Sequence, residues 1–202
     1  EIKALKERIK ALSGDEPEVI NVDSSITVKE ITAKEFTALR KKNTSLIPIV
    51  LSDSSVAACF EAGHVVTTNL EAVKDDLLSS GNWLIHGAKR AIRNGLLEEV
   101  AVDTEVAAYL LNPGSREIEL NDVIRKYLGI EIAASGGDLF SEDWTPVSAG
   151  HLAQVWEILQ KELEVHNALK LYKEIEIPTM EILSTMERLG IGVDRKKLEK
   201  LR

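Results

Sequence analysis

The chain has 202 residues and a mass of 22.3 kDa, with 44% hydrophobic and 29% charged residues, enough apolar material for a buried core and too much for a disordered tail. Its formal charge of −8 lacks the basic excess from which a free-standing nucleic-acid binder draws most of its affinity, so the chain itself is expected to bind DNA weakly or not at all. No apolar run nears the roughly 20 residues of a membrane-spanning helix, no signal-peptide pattern opens the chain, and a lone Cys59 excludes an internal disulfide and a cysteine-rich zinc site.

Residues 1–12 carry Ile2, Leu5, Ile9 and Leu12 at helical spacing with Lys and Arg between them, and Ser13-Gly14-Asp15-Glu16-Pro17 ends that pattern. Residues 1–25 therefore read as a solvated linker helix and linker. Ile26 to Ile31 alternates like a strand, and Thr32-Ala33-Lys34-Glu35 is a capping box opening a helix to about Lys42. Leu46–Leu51 and Ser55–Phe60 are apolar strands around the turn Ser52-Asp53-Ser54. A third strand, His64–Thr67, completes an antiparallel meander.

The rhythm then changes. Asn69 caps a helix reaching Ser80, with Gly81 as a left-handed exit. Trp83-Leu84-Ile85 is a strand, residues 87–94 a short helix closed by Gly95, and Val100–Val102 another strand. Asp103 caps a helix over 104–111 that Pro113 terminates, and a further helix spans 120–128 before Gly129. The stretch 131–147, with Gly136-Gly137 and Pro146, reads as a loop. One long helix is predicted from about Ser148 to Ile177, ended by Pro178, which starts a second helix to Leu189 with Gly190 as its exit. This order gives an α/β fold: a ribonuclease-H-like mixed sheet of antiparallel meander plus parallel crossovers, flanked by helices, with a C-terminal helical extension. The chain opens without methionine and stops at Arg202 inside a helical pattern, so it is expected to be a fragment.

Tyr172, the Glu176-Ile177-Pro178 step, Leu183, Met186-Glu187, Gly190 and Val193-Asp194 lie within 28 residues at the spacing of a Pro-started helix, a Gly exit and an Asp cap. This stretch resembles the junction between the 3′–5′ exonuclease domain and the polymerase domain of family A DNA polymerases, the bacterial DNA polymerase I type. Val102–Pro113 resembles the family segment after the middle of the exonuclease domain, and Lys89-Arg90-Ala91 sits where the family carries its second exonuclease motif. The likeness covers about residues 26–202. It implies residues 26–170 as exonuclease-like domain and 171–202 as the start of the polymerase domain. It also implies a parent nucleotidyltransferase of DNA replication or repair, with magnesium held by a polymerase palm outside this chain.

Two-metal phosphodiester hydrolysis needs carboxylates at several fixed points. The family's first motif would fall in the window from Ile47 to Ser52, which holds no acid; Asp53 is the nearest. The second motif falls on Gly87 and Ala91, and the third on His151 and Val155. The resemblance thus implies no catalytic, cofactor or metal residue in this chain, and a degenerate domain with a structural role beside the polymerase domain. Two alternatives stand: a working exonuclease with displaced ligands such as Asp53, Asp103 and Asp143, and a module that docks a partner. Asp103-Thr104-Glu105 spells the acid pair of the first motif, but after the second-motif helix, and a helix cap explains Asp103. His86 and His151 lack a partner pattern for ligation. Cys59 reads as a core residue, Gly63 as a turn glycine, and Arg40-Lys41-Lys42 as cations favoured at a helix end. A cytoplasmic, nucleoid-associated location follows from the resemblance, with DNA reached through the polymerase domain and no membrane partner.

Overall fold

A computed structural model describes residues 26–79, 81–115, 119–132 and 145–194, together with 197 and 199. The expected linker helix, Gly136-Gly137 and Asp143 lie outside the described residues.

The strands are β1 (Thr27–Glu30), β2 (Ile47–Leu51), β3 (Ser55–Glu61), β4 (His64–Asn69), β5 (Trp83–Ile85) and β6 (Val102–Asp103), in the order β1-β4-β3-β2-β5-β6. β2, β3 and β4 form the antiparallel meander, with Ile49 opposite Ala58 and Ala58 opposite Val66. β5 runs parallel to β2, and β6 parallel to β5. β1 adds itself parallel to β4 at the far edge, Thr27 opposite His64. Pro48 is tolerated in the middle of the sheet because β2 pairs with β5 at Ile47 and Pro48 and with β3 only from Ile49 onward.

Helix α1 (Ala33–Lys42) follows β1 and has the expected capping box: the Glu35 amide donates to Thr32 Oγ1, and the Thr32 amide donates to the Glu35 carboxylate at 2.8 Å. Those donors hold the Glu35 carboxyl below its usual value. Phe36 is the buried residue of α1 and meets Phe60 edge-on at 5.4 Å. After β4, the Asn69 side chain accepts from the Ala72 amide at the start of a 3-10 turn (Glu71–Val73), which runs into α2 (Lys74–Leu78). That helix stops at Leu78, with Ser79 as its C-cap. The Ser79 amide closes the helix by itself, onto the Asp75 carbonyl.

Helices α3 (Ala88–Arg93), α4 (Thr104–Leu111) and α5 (Leu120–Leu128) follow, with left-handed Gly95 after α3 and Gly129 closing α5. The strand expected over Val100–Val102 is shifted to Val102–Asp103. Helix α6 (Val147–Val165) crosses β2, β3 and β4 on one face and packs on α4 and α5. A β-carbon on Gly150 would stand 2.6 Å from the Ile26 side chain, so a glycine there lets α6 pass the start of β1.

Two expectations for the helical end need correcting. The long helix does not run through to Ile177. It closes at His166 in a Schellman arrangement: Asn167 is left-handed (φ 54°), its amide donates to Glu164 O at 3.0 Å, and the Ala168 amide donates to Leu163 O at 2.8 Å. Nor does Pro178 end a helix. A continuous helical run begins at α7 (Leu169–Leu171), widens into a π turn over Tyr172–Glu176, and continues as α8 (Ile177–Leu189). The Ile177 amide reaches back five residues to Tyr172 O. The wider turn takes in a proline that has no amide to donate and would crowd a regular α turn.

Candidate functional site

The catalytic positions implied by the resemblance fall where β2 and β5 end, where α3 begins, and where α6 crosses the sheet. Along β2 the side chains are Ile47, Pro48, Ile49, Val50 and Leu51, with no acid among them. Asp53 is exposed in the turn to β3. Gly87 makes the turn from β5 into α3 with φ +81°, a conformation that favours glycine. Ala91, one turn into α3, is buried. On α6, His151 and Val155 stand four residues apart and are buried on the core side. Ile49, Ala91 and Val155 belong to one apolar cluster that also holds Trp83, Leu84 and Leu152.

The side chains at these four positions supply hydrocarbon, one backbone turn and one imidazole. Hard divalent ions need carboxylate or carbonyl oxygens. Among the described residues, no group of three His, Cys, Asp or Glu side chains is placed to hold a metal ion. Among the described residues, the side chains at these positions do not fit a two-metal centre.

The acid that sequence spacing marked as a decoy has a structural use larger than the single cap expected. Asp103 is wholly buried at the end of β6. Its Oδ1 accepts from the Glu105 amide at 2.8 Å, capping α4, and from the Gly87 amide at 3.1 Å; its Oδ2 accepts from the Ala88 amide at 2.8 Å. One carboxylate therefore closes the starts of two helices, α3 and α4, where free amides and helix dipoles favour negative charge. Burial pushes the Asp103 carboxyl up, while the amides of Gly87, Ala88, Glu105 and Val106 pull it down; burial prevails.

The backbone of Asp103 is held in turn by Tyr172, also wholly buried. The Tyr172 hydroxyl accepts from the Asp103 amide at 2.8 Å and donates to the Asp103 carbonyl at 3.0 Å. Its ring lies 5.5 Å from that of Trp156 on α6, and burial raises its phenol strongly. Spacing alone gave no sign of this pairing, because 69 residues separate the partners. The presence of Tyr172 in the junction stretch was the one available hint.

A cleft of about 250 Å³ opens beside this node, lined by His86, Lys89, Arg90, Glu105, Glu119 and Glu187 among others. Its charges are mixed. His86 Nδ1 lies 3.0 Å from Thr104 Oγ1, and Thr104 Oγ1 donates to Ile85 O. Glu105 is half-buried, and its carboxyl is raised by burial first and by the neighbouring Asp103 second. The Glu187 carboxylate bridges Lys89 at 2.7 Å and Arg93 at 3.6 Å, and these cations hold it below its usual value. Cys59 is a buried β3 residue whose thiol donates to Glu61 O, and burial pushes its pKa up, away from thiolate chemistry. Gly63 is left-handed in the β3–β4 turn. Arg40 is tied to Asp76 and to Ser79 O, and Arg40, Lys41 and Lys42 form the basic last turn of α1.

No family model matches the chain. DNA polymerase I of Mycobacterium bovis is 30% identical over 171 residues, covering 72% of this chain and 19% of that protein. The chain thus spans about a fifth of the length of the curated relatives it matches. Among solved structures, the polymerase domain of Pol1 from M. smegmatis, in complex with DNA primer-template and dNTP, superposes with a TM-score of 0.71 at 23% identity, covering 87% of this chain and 34% of that one. A nuclease in its apo form matches with a TM-score of 0.58 at 13% identity, over 83% of this chain and 95% of the nuclease. The 30% identity to DNA polymerase I over 72% of this chain, together with the mixed sheet and its crossing helix, relates this chain to the family A DNA polymerases of the polymerase I type, in their exonuclease-like region.

Proposed function

We propose that the chain is the exonuclease-like part of a DNA-directed DNA polymerase, that its nuclease chemistry has been lost, and that it serves as a structural unit beside the polymerase domain. The observation that carries this reading is the content of the former ligand positions: Gly87, Ala91, His151 and Val155 with an acid-free β2, and Ala91 and Val155 sealed in the apolar core. A metal ion there would need carboxylate oxygens that none of these positions supplies. Residues 26–170 form the exonuclease-like domain in this proposal, and 171–202 lead into the polymerase domain. Magnesium belongs to the palm of that parent enzyme, DNA is reached through it, and the setting is the bacterial cytoplasm and nucleoid.

The test is direct. Purified chain incubated with magnesium or manganese is expected to leave an end-labelled single strand at full length. Processive trimming that stops on adding chelator would overturn the proposal and favour displaced ligands.

A further inference from the structure

Helices α4, α5 and α6 bring their C-terminal turns together, and those turns wall a cleft of about 400 Å³. It is separate from the degenerate positions: roughly 16 Å of α-helical rise lies between His151 and Glu162 on α6. A chain of hydrogen bonds runs through its lining. Asn112, which closes α4, donates from Nδ2 to the Tyr127 hydroxyl at 3.4 Å, and that hydroxyl donates to the Glu162 carboxylate. Burial first and Glu162 second raise the Tyr127 phenol, which therefore stays a donor. The cations come from two helices. Lys126 of α5 holds its Nζ 5.3 Å from the centre of the Tyr127 ring, and Lys161 of α6 lines the same cleft, with His166 at the helix end. The apolar lining is Leu111, Val165 and the Tyr127 ring; Val165 is 77% exposed, a large apolar side chain left in water.

Two ammonium groups thus face one carboxylate that a phenol already engages, in a chain whose net charge is −8. Local charge opposite in sign to the whole favours an anion at that place. Carbonyls in the last turn of each helix are already engaged, which softens the dipoles that would oppose one: Tyr109 O by the Asn112 amide, Arg125 O by Gly129, and Leu163 O and Glu164 O by Ala168 and Asn167. A phosphate monoester carries about −1.5 to −2 at pH 7, and lysine binds phosphate as a point charge, so two lysines match one such group. The cleft's volume falls within the roughly 300–1,000 Å³ of small-molecule sites. A phosphate alone would leave its apolar wall in water. We propose that this cleft binds a phosphate monoester on a planar body, of the nucleoside monophosphate class. Its phosphate lies on Lys126 and Lys161 with His166, and its ring against Leu111, Val165 and Tyr127. This binding site goes beyond the structural role proposed above and stands apart from the polymerase reading.

The test titrates the isotope-labelled 202-residue chain with deoxyadenosine monophosphate, inorganic phosphate and deoxyadenosine in turn, following amide chemical shifts. The monophosphate is expected to shift the Asn112, Tyr127, Glu162 and His166 amides saturably, with half-saturation below about 1 mM. Phosphate alone is expected to shift the same amides with at least about tenfold weaker affinity, and deoxyadenosine more weakly still. The paired substitution Lys126→Ala and Lys161→Ala is expected to weaken the monophosphate at least about tenfold. Both side chains are exposed, so the fold is expected to survive, and an unchanged spectrum away from the cleft checks that. Absence of saturable shifts up to about 10 mM, or shifts centred on His86 and Gly87 instead, would overturn the inference. Equal affinity for phosphate alone would also overturn it, because the planar body would then have no role. Full affinity retained by the paired variant would do the same.

Discussion

Replacing Asp103 by Ala isolates the role of the one carboxylate that joins two helix starts. Three amides lose their acceptor at once: Gly87 and Ala88 at α3, and Glu105 at α4. Residue 103 is 0% exposed, so water cannot step in without opening the β6–α4 corner. Loss of a cap costs about 1 kcal/mol per helix, and a buried amide left unpaired costs about 1–3 kcal/mol. The change also removes a carboxylate whose burial is unfavourable, which offsets part of that loss. The net expectation is about 3–5 kcal/mol, a large part of the roughly 5–15 kcal/mol that holds a domain together. For a domain of this size that corresponds to about 10 °C in Tm. Urea unfolding at pH 7, followed through the fluorescence of buried Trp83 and Trp156, measures it. Hydrogen exchange at Gly87 and Ala88 locates it. Asp103→Asn keeps one oxygen and is expected to lose about half as much. A loss below about 1 kcal/mol for Asp103→Ala, with the Gly87 and Ala88 amides exchanging as before, would refute the reasoning.

Tyr172→Phe leaves the Asp103 amide and carbonyl without their hydroxyl partner and is expected to cost about 1–3 kcal/mol in urea unfolding; a neutral substitution would mean that the ring alone does the work. Glu105→Gln tests the direction of linkage. The folded state raises the Glu105 carboxyl above its ordinary value, so ionising it opposes folding at pH above its folded pKa and not below the usual carboxylate range. The variant is therefore expected to melt higher than wild type at pH 8, with the difference vanishing near pH 4, and an advantage that grows toward acid would contradict the shift. Val155→Asp, an attempt to restore a ligand, places a charge in the apolar cluster and is expected to cost about 3–5 kcal/mol without creating metal uptake; saturable magnesium binding by calorimetry would show that the core yields to a site there.

Much of the fold was legible because local signals and burial agreed. The Thr32–Glu35 box, the meander around Ser52-Asp53-Ser54, and the helix over 104–111 all stand where residue spacing placed them. The helical end was misread for a physical reason. Apolar spacing carries straight through His166 and Leu169, so periodicity cannot see a break made by backbone hydrogen bonds around a left-handed Asn167. Asn just past a helical stretch was the signal available. Pro178 misled in the opposite direction: a π turn, which depends on packing around Tyr172, let the helix continue through it.

The sequence by itself determined that β2, Gly87, Ala91 and Val155 offer no side-chain oxygens, because a position without oxygen donors cannot gain them by folding. It also determined the order of strands and helices, since each local pattern has few low-energy conformations. Only the tertiary structure decided what Asp103 and Tyr172 do. Those outcomes depend on groups dozens of residues apart meeting out of reach of water, where an amide must find a partner and an apolar face must find cover.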